Sequence, residues 1–305
     1  MFAVAAASAH AAPVAYGEAF DTLYRIDLAT REASVAGRAG QYAGQTIGNI
    51  SGLTTLGDGS LYAVGGSQKL LLTIETGSGR ATVVGPLDVA GQGGGQYDAL
   101  DLTMIAGCDD TLWLSSGVAQ KLWTVDRGSG KTTLVGATGA AITGLAARGG
   151  QLYGAAGKGD NTLYRIDPAT GKARAIGGFG TDRWINSVSM GFDEAGTLWA
   201  VLNYLPPQHD SDPVADWSDL ARIDPASGHL TVLGPITGPD SLRKVGMRGF
   251  TLGPAPCGTL PTPQPAPVGA PWALALLGAL LAIAGRRHFR RAFWERRSRD
   301  EAPRR

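Results

Sequence analysis

Five copies of one short phrase, 45 glycines in 305 residues and one uncharged stretch of 18 residues near the C-terminus together predict the fold class. It is all-β: a five-bladed β-propeller of four-stranded blades, closed by a one-plus-three split blade and followed by one C-terminal transmembrane helix. Glycine at this density without a collagen period means many tight turns, and so many short strands. A hydrophobic fraction of 44% is ample for a buried core at this length.

The chain opens on MFAVAAASAHAA, residues 1–12, an apolar small-residue run in which Ala9-His10-Ala11 fits the small-x-small pattern before a signal-peptidase cut. It has no basic start and is short for a signal. It is therefore read as the end of a signal peptide that begins upstream.

The propeller is expected over residues 13–257. Its recurring phrase is Leu23-Tyr24-Arg25-Ile26-Asp27, Leu72-Thr73-Ile74-Glu75, Leu122-Trp123-Thr124-Val125-Asp126, Leu163-Tyr164-Arg165-Ile166-Asp167 and Leu220-Ala221-Arg222-Ile223-Asp224. Each copy runs into a turn and a second apolar run, as in Pro168-Ala169-Thr170-Gly171 followed by Ala173 to Gly177. The acidic residue accepts hydrogen bonds from turn amides and the glycine takes the left-handed position, so the phrase encodes a hairpin. A second hairpin precedes most copies, such as Ile142 to Arg148 with Leu152 to Ala156. Four strands make a blade, and spacings of 48, 51, 41 and 57 residues between the acidic markers fit a unit of about forty with loop insertions.

The fifth unit is divided. Its last three strands open the domain, from about Val14 to Arg38, and its innermost strand arrives last, within Val245 to Leu252. Joining the ends in this way removes two long unpaired edges and favours five blades; a sixth hidden in glycine-rich stretches is the alternative. The repeat resembles the secreted propellers built on Leu-Tyr-x-Ile-Asp-Pro-x-Thr-Gly units, which implies a fold and leaves the chemistry open.

Three segments follow in order. Residues 258–267 form a Pro-rich linker, Pro261-Thr262-Pro263-Gln264-Pro265-Ala266-Pro267, that favours an extended spacer. Residues 268–285 carry no charge and, at about 1.5 Å per residue, reach about 27 Å as a helix, enough for a thin bilayer. Residues 286–305 hold nine arginines against Glu295, Asp300 and Glu301, a local +6 within a total of +1 that leaves −5 for residues 1–285. Arginines keep that end in the cytoplasm, so the propeller is expected outside it, held at the inner membrane by residues 268–285. The mildly acidic body offers no phosphate-binding patch and no nucleic-acid partner is expected.

The order Pro-rich stretch, Trp272, Ala273 to Leu281 and Arg286-Arg287 resembles the C-terminal sorting signals of exosortase-type bacterial export, the PEP-CTERM and IPTL-CTERM classes. Pro-Glu-Pro is missing, Pro261-Thr262-Pro263 stands where the second class has Pro-Thr-Leu, and the tail after Arg291 is long. The resemblance implies a sorting or processing protease as partner, removal of the arginine tail, and release or attachment of the propeller at the cell surface.

The candidate site residues cluster on one expected face. Loop 203–219 joins the second and third strands of a blade and offers His209, Asp210, Asp212, Asp216 and Trp217. Its aspartates could ligate Ca2+ or serve an acid–base pair, although Asp210-x-Asp212 lacks the glycine and distal glutamate of an EF-hand. Arg183 and Trp184 lie on the same face. Asp101 and Arg248 fall in innermost strands facing the channel, to pair with each other or to frame a small anionic ligand. The repeat carboxylates and Tyr24, Trp123, Tyr153, Tyr164 and Trp199 are read as turn and core residues. Cys108 and Cys257, the only cysteines, suggest a disulfide in an exported chain, provided the segment after Leu252 crosses the face. No catalytic triad pattern accompanies the four histidines.

These readings favour a noncatalytic binding or structural module at the surface or envelope, directed at a glycan, a matrix polymer or a protein, with no cofactor. The alternative is an extracellular metal-assisted hydrolase or lactonase using loop 203–219.

Overall fold

The computed structural model of the chain describes residues 14–89, 101–204, 218–239 and 246–258. Blade I takes β1 (Val14–Ala19), β2 (Thr22–Asp27) and β3 (Ala33–Arg38) from the start of the domain. A two-stranded hairpin, β4 (Gln41–Tyr42) and β5 (Gln45–Thr46), leads to blade II: β6 (Ile50–Thr55), β7 (Leu61–Gly65), β8 (Leu70–Ile74) and β9 (Ala81–Pro86). Blade III is β10 (Leu102–Ala106), β11 (Leu112–Ser116), β12 (Lys121–Val125) and β13 (Thr132–Ala137). Blade IV is β14 (Ile142–Arg148), β15 (Gln151–Ala156), β16 (Thr162–Ile166) and β17 (Ala173–Gly178). Blade V is β18 (Ser187–Phe192), β19 (Leu198–Asn203), β20 (Ser218–Ile223) and β21 (Leu230–Pro235). The innermost strand of blade I, β22 (Gly249–Thr251), arrives last and pairs antiparallel with β1 through Tyr16–Thr251, Gly17–Phe250 and Glu18–Gly249. The five-bladed, one-plus-three architecture is therefore present, with a closing strand shorter than the 245–252 run suggests.

The acidic markers act as the turns require. Asp27 accepts from the amides of Ala29 and Thr30 at 2.8 and 3.0 Å, and Asp167 and Asp224 accept from those of Ala169 and Ala226 at 2.9 Å. Asp126 takes the Ser129 hydroxyl at 2.6 Å. These bonds hold all four carboxyls below their usual range, as expected of acids that stabilise turns. Tyr24, Trp123, Tyr153 and Trp199 are buried and Tyr164 partly so, which gives them the packing role expected.

Two features hold blade to blade. Five apolar clusters fill the five blade interfaces, one each. At the rim, a glycine in each outermost strand meets the third-to-fourth-strand turn of the next blade. A Cβ on Gly37, Gly85, Gly136 or Gly177 would overlap the carbonyl oxygen of Ser78, Ser129, Thr170 or Ser227. The last joint, from blade V to blade I, places Gly234 against Arg31, whose φ of 64° matches the 70–80° of Gly79, Gly130, Gly171 and Gly228 in the other turns. There Ala33 N donates to Thr237 O at 2.7 Å and Thr237 N to Arg31 O at 3.0 Å.

Among the described residues no helix is long and apolar enough to cross a membrane. The expected signal segment 1–12, the linker beyond Gly258, the helix 268–285 and the tail 286–305 lie outside the described residues.

Candidate functional site

The channel has two faces. Blade-to-blade connections and second-to-third-strand loops form the upper one; first-to-second and third-to-fourth hairpins form the lower. Each innermost strand starts at the upper mouth, and there each blade contributes one polar side chain: Ser51, Asp101, Thr143, Ser187 and Arg248 line a single small recess.

Neighbours fix this ring. Ser51 Oγ donates to Leu102 O at 2.7 Å, and Thr143 Oγ1 donates to Ala155 O at 3.3 Å while accepting from Val188 N at 3.2 Å. Arg248 N donates to Glu18 O at 2.9 Å, and Arg248 O accepts from Ser189 Oγ at 2.7 Å. Asp101 Oδ1 pairs with Lys158 Nζ at 3.1 Å, reaching across from the second-to-third-strand loop of blade IV. Burial raises the Asp101 pKa against the pull of Lys158, and burial lowers that of Arg248 against the pull of Asp101. Asp101 and Arg248 are thus brought together, as their strand positions suggest. Asp101 Oδ2 and Ser187 Oγ are buried without a hydrogen-bond partner among the described residues, so the ring retains unused polar capacity.

A second group stands on the same upper face. Arg183 Nη1 pairs with Asp219 Oδ2 at 3.1 Å, and its guanidinium carbon lies 3.6 Å from the centroid of the Tyr204 ring. Asn161 Nδ2 holds the Arg183 carbonyl at 2.9 Å. Burial, then Asp219, pushes the Tyr204 phenol above its usual range, so it remains a donor at any physiological pH. Trp184 lies against Gly159 and remains 48% exposed. A third pair, Arg38 Nη1 to Asp21 Oδ2 at 3.2 Å, lies near exposed Phe20. Tyr42 and Val118 are also exposed in upper loops.

His209, Asp210, Asp212, Asp216 and Trp217 lie outside the described residues, which reach only the loop stems at Tyr204 and Ser218. Among the described residues no three His, Cys, Asp or Glu side chains gather as a metal site would require. Sequence reasoning missed Ser51, Thr143, Ser187 and Lys158. The available signal was a polar residue recurring at the start of each innermost strand.

Cys108 and Cys257 meet on the lower face. Cys257 Sγ lies 3.6 Å from Cys108 O, and Cys108 Sγ lies 3.5 Å from Pro256 O, with both thiols free and exposed. The segment after Leu252 crosses this face, which is what bringing them together required.

The chain is similar to several solved structures. A Bacteroides thetaiotaomicron protein of unknown function is 15% identical, with a TM-score of 0.46 over 62% of this chain and 53% of that one. A chain of a nidogen/laminin complex is 13% identical, with a TM-score of 0.48 over 80% and 99%. Virginiamycin B lyase from Staphylococcus aureus is 10% identical, with a TM-score of 0.43 over 77% of each chain. The chain thus spans just over half the length of the Bacteroides protein, and the fold assignment rests on its own strand order. No curated protein matches the sequence. Residues 51–203, half of the chain and running from blade II into blade V, match the model of a repeat of unknown function (DUF6923), and the chain belongs to that family.

Proposed function

We propose that the protein is a noncatalytic binding module that receives a hydroxyl-rich glycan on its upper face. One observation carries this reading: five polar side chains, one per blade, converge at the channel mouth, with Asp101 among them paired to Lys158, and the Arg183–Asp219 pair and an exposed Trp184 share the upper face. Paired charges present donors and acceptors at fixed spacing, and an aromatic face supplies apolar area against a sugar ring. The five blades give these groups a rigid frame, which lowers the ordering cost of binding. The address segments complete the reading: the chain is exported, the propeller lies outside the cytoplasm, residues 268–285 enter the inner membrane, and a sorting protease removes the arginine tail.

Titration of the full-length chain with neutral, amino and uronic oligosaccharides tests the assignment. Saturable binding is expected, weakened at least about tenfold by Trp184→Ala or Asp101→Asn, since losing one well-placed anchor costs about 1.4 kcal/mol or more. Val35→Ser, on an outermost strand, should leave affinity unchanged. Binding only to an envelope protein would overturn the glycan assignment. A stoichiometric divalent ion lost in the Asp210→Ala/Asp212→Ala variant, together with turnover of a lactone, would overturn the noncatalytic reading.

A further inference from the structure

We propose that Cys108 and Cys257 form a disulfide when the protein meets a disulfide oxidant, latching the C-terminal strap across the lower mouth of the channel. After β22 the chain does not leave the ring. Pro254 bridges to Thr55 in blade II, Ala255 packs into the apolar cluster between blades III and IV, and Pro256 O accepts from Gly149 N of blade IV at 2.9 Å. This path carries Cys257 from the innermost strand of blade I to the first hairpin of blade III, where it meets Cys108. Two cysteines from non-adjacent blades, the only two in the chain, therefore share one spot.

The location gives the bond a purpose. The ring is closed by only three residue pairs between β1 and β22, fewer than the five or six that join most neighbouring strands within the blades. A covalent link from Cys257 to blade III places a second closure behind the first. It also encloses nearly half of the chain, and a cross-link restricts the unfolded ensemble more the longer the loop it closes.

Access favours the chemistry. Cys108 lines a lower-face cleft with Asp109, Trp113, Gln151 and Pro168, open to a thiol–disulfide exchange partner. Contact with Cys108, burial and the nearby Asp110 and Asp109 carboxylates push the Cys257 thiol up to about 11. The first attack falls to Cys108 because it lines the open cleft. Its thiolate attacks the oxidant disulfide and expels one thiolate. Cys257 then attacks the mixed disulfide at the Cys108 sulfur and expels the second. The two protons lost by the cysteines leave with the two reduced oxidant thiols, and the electron pair that broke the oxidant bond is balanced by the new S–S bond.

The full-length chain, equilibrated with glutathione disulfide and digested without reduction, should yield one cross-linked peptide pair joining Cys108 to Cys257. Reduction should lower the thermal midpoint by about 5–10 °C, the shift expected of a typical disulfide in a domain of this size. The midpoints of Cys108→Ser and Cys257→Ser should not respond to reductant. Reduction should also speed protease cleavage within residues 253–258. Two separately alkylated or glutathionylated cysteines at equilibrium would overturn the inference. So would a cross-link whose reduction changes neither midpoint nor cleavage. Oligosaccharide binding at the opposite face is independent of either result.

Discussion

Glu18 puts a carboxyl where neither oxygen finds a partner among the described residues, on a strand that is fully buried at that point. Burial, then Asp21, raises its pKa well above the usual carboxylate value. The consequence for stability has a definite sign. Below the unfolded-state pKa, near 4.5, both states hold the proton and the site costs nothing extra. As pH rises from there toward the raised folded value, the unfolded chain releases its proton first and stability falls, levelling off above the folded value. Glu18→Gln, which keeps the shape and cannot ionise, should therefore stabilise the protein at pH 8, by about 1.4 kcal/mol for each pH unit that separates the unfolded from the raised folded pKa. The gain should vanish near pH 4. Chemical denaturation of both proteins across that range measures it, and a pH-independent difference would show that the carboxyl does not titrate between the two states.

At the scale of elements, the rim seam predicts which glycines are indispensable. A methyl group on Gly136 would overlap Thr170 O of the next blade, and backbone cannot rotate aside as a side chain can. Gly136→Ala should cost about 1–3 kcal/mol through overpacking. Gly77, with no atom within 4 Å of the position a Cβ would take, should accept alanine within about 0.5 kcal/mol. Equal midpoints for the two variants would refute the seam. The glycine in each fourth strand was visible in the sequence, but its role was not, because the atom it avoids belongs to another repeat. Blade strands were readable because Asp27, Asp126, Asp167 and Asp224 mark turns through local bonds. The hairpin of β4 and β5 was not readable: its four strand residues are all exposed, so no apolar alternation marks them. The ring at the channel mouth was half legible. Asp101 and Arg248 stood out as charges in apolar strands, whereas Ser51, Thr143 and Ser187 resemble ordinary strand-start residues until the blades close.

For the whole molecule, the closing strand and the strap behind it divide the work of holding the ring. β22 contributes Phe250 to the apolar cluster between blades V and I, and Met247 just before it adds a second buried side chain. The strap adds the Thr55–Pro254 bridge, the Gly149–Pro256 hydrogen bond and the burial of Ala255. A chain ending at Leu252 keeps the first set and loses the second. It should remain folded and monomeric, with stability reduced by about 2–4 kcal/mol relative to the oxidised full-length protein, the contribution typical of a disulfide. A chain ending at Gly246 also loses β22, leaving β1 as an unpaired edge and uncovering the cluster beneath Met247 and Phe250. Exposed edges and apolar surface promote association, so this shorter chain should aggregate or form mixed oligomers. Size-exclusion chromatography with urea denaturation separates the two deletions. If the chain ending at Gly246 stayed monomeric and as stable as the one ending at Leu252, closure would owe nothing to β22, and the ring would be held by its glycine seams and the other blade interfaces alone.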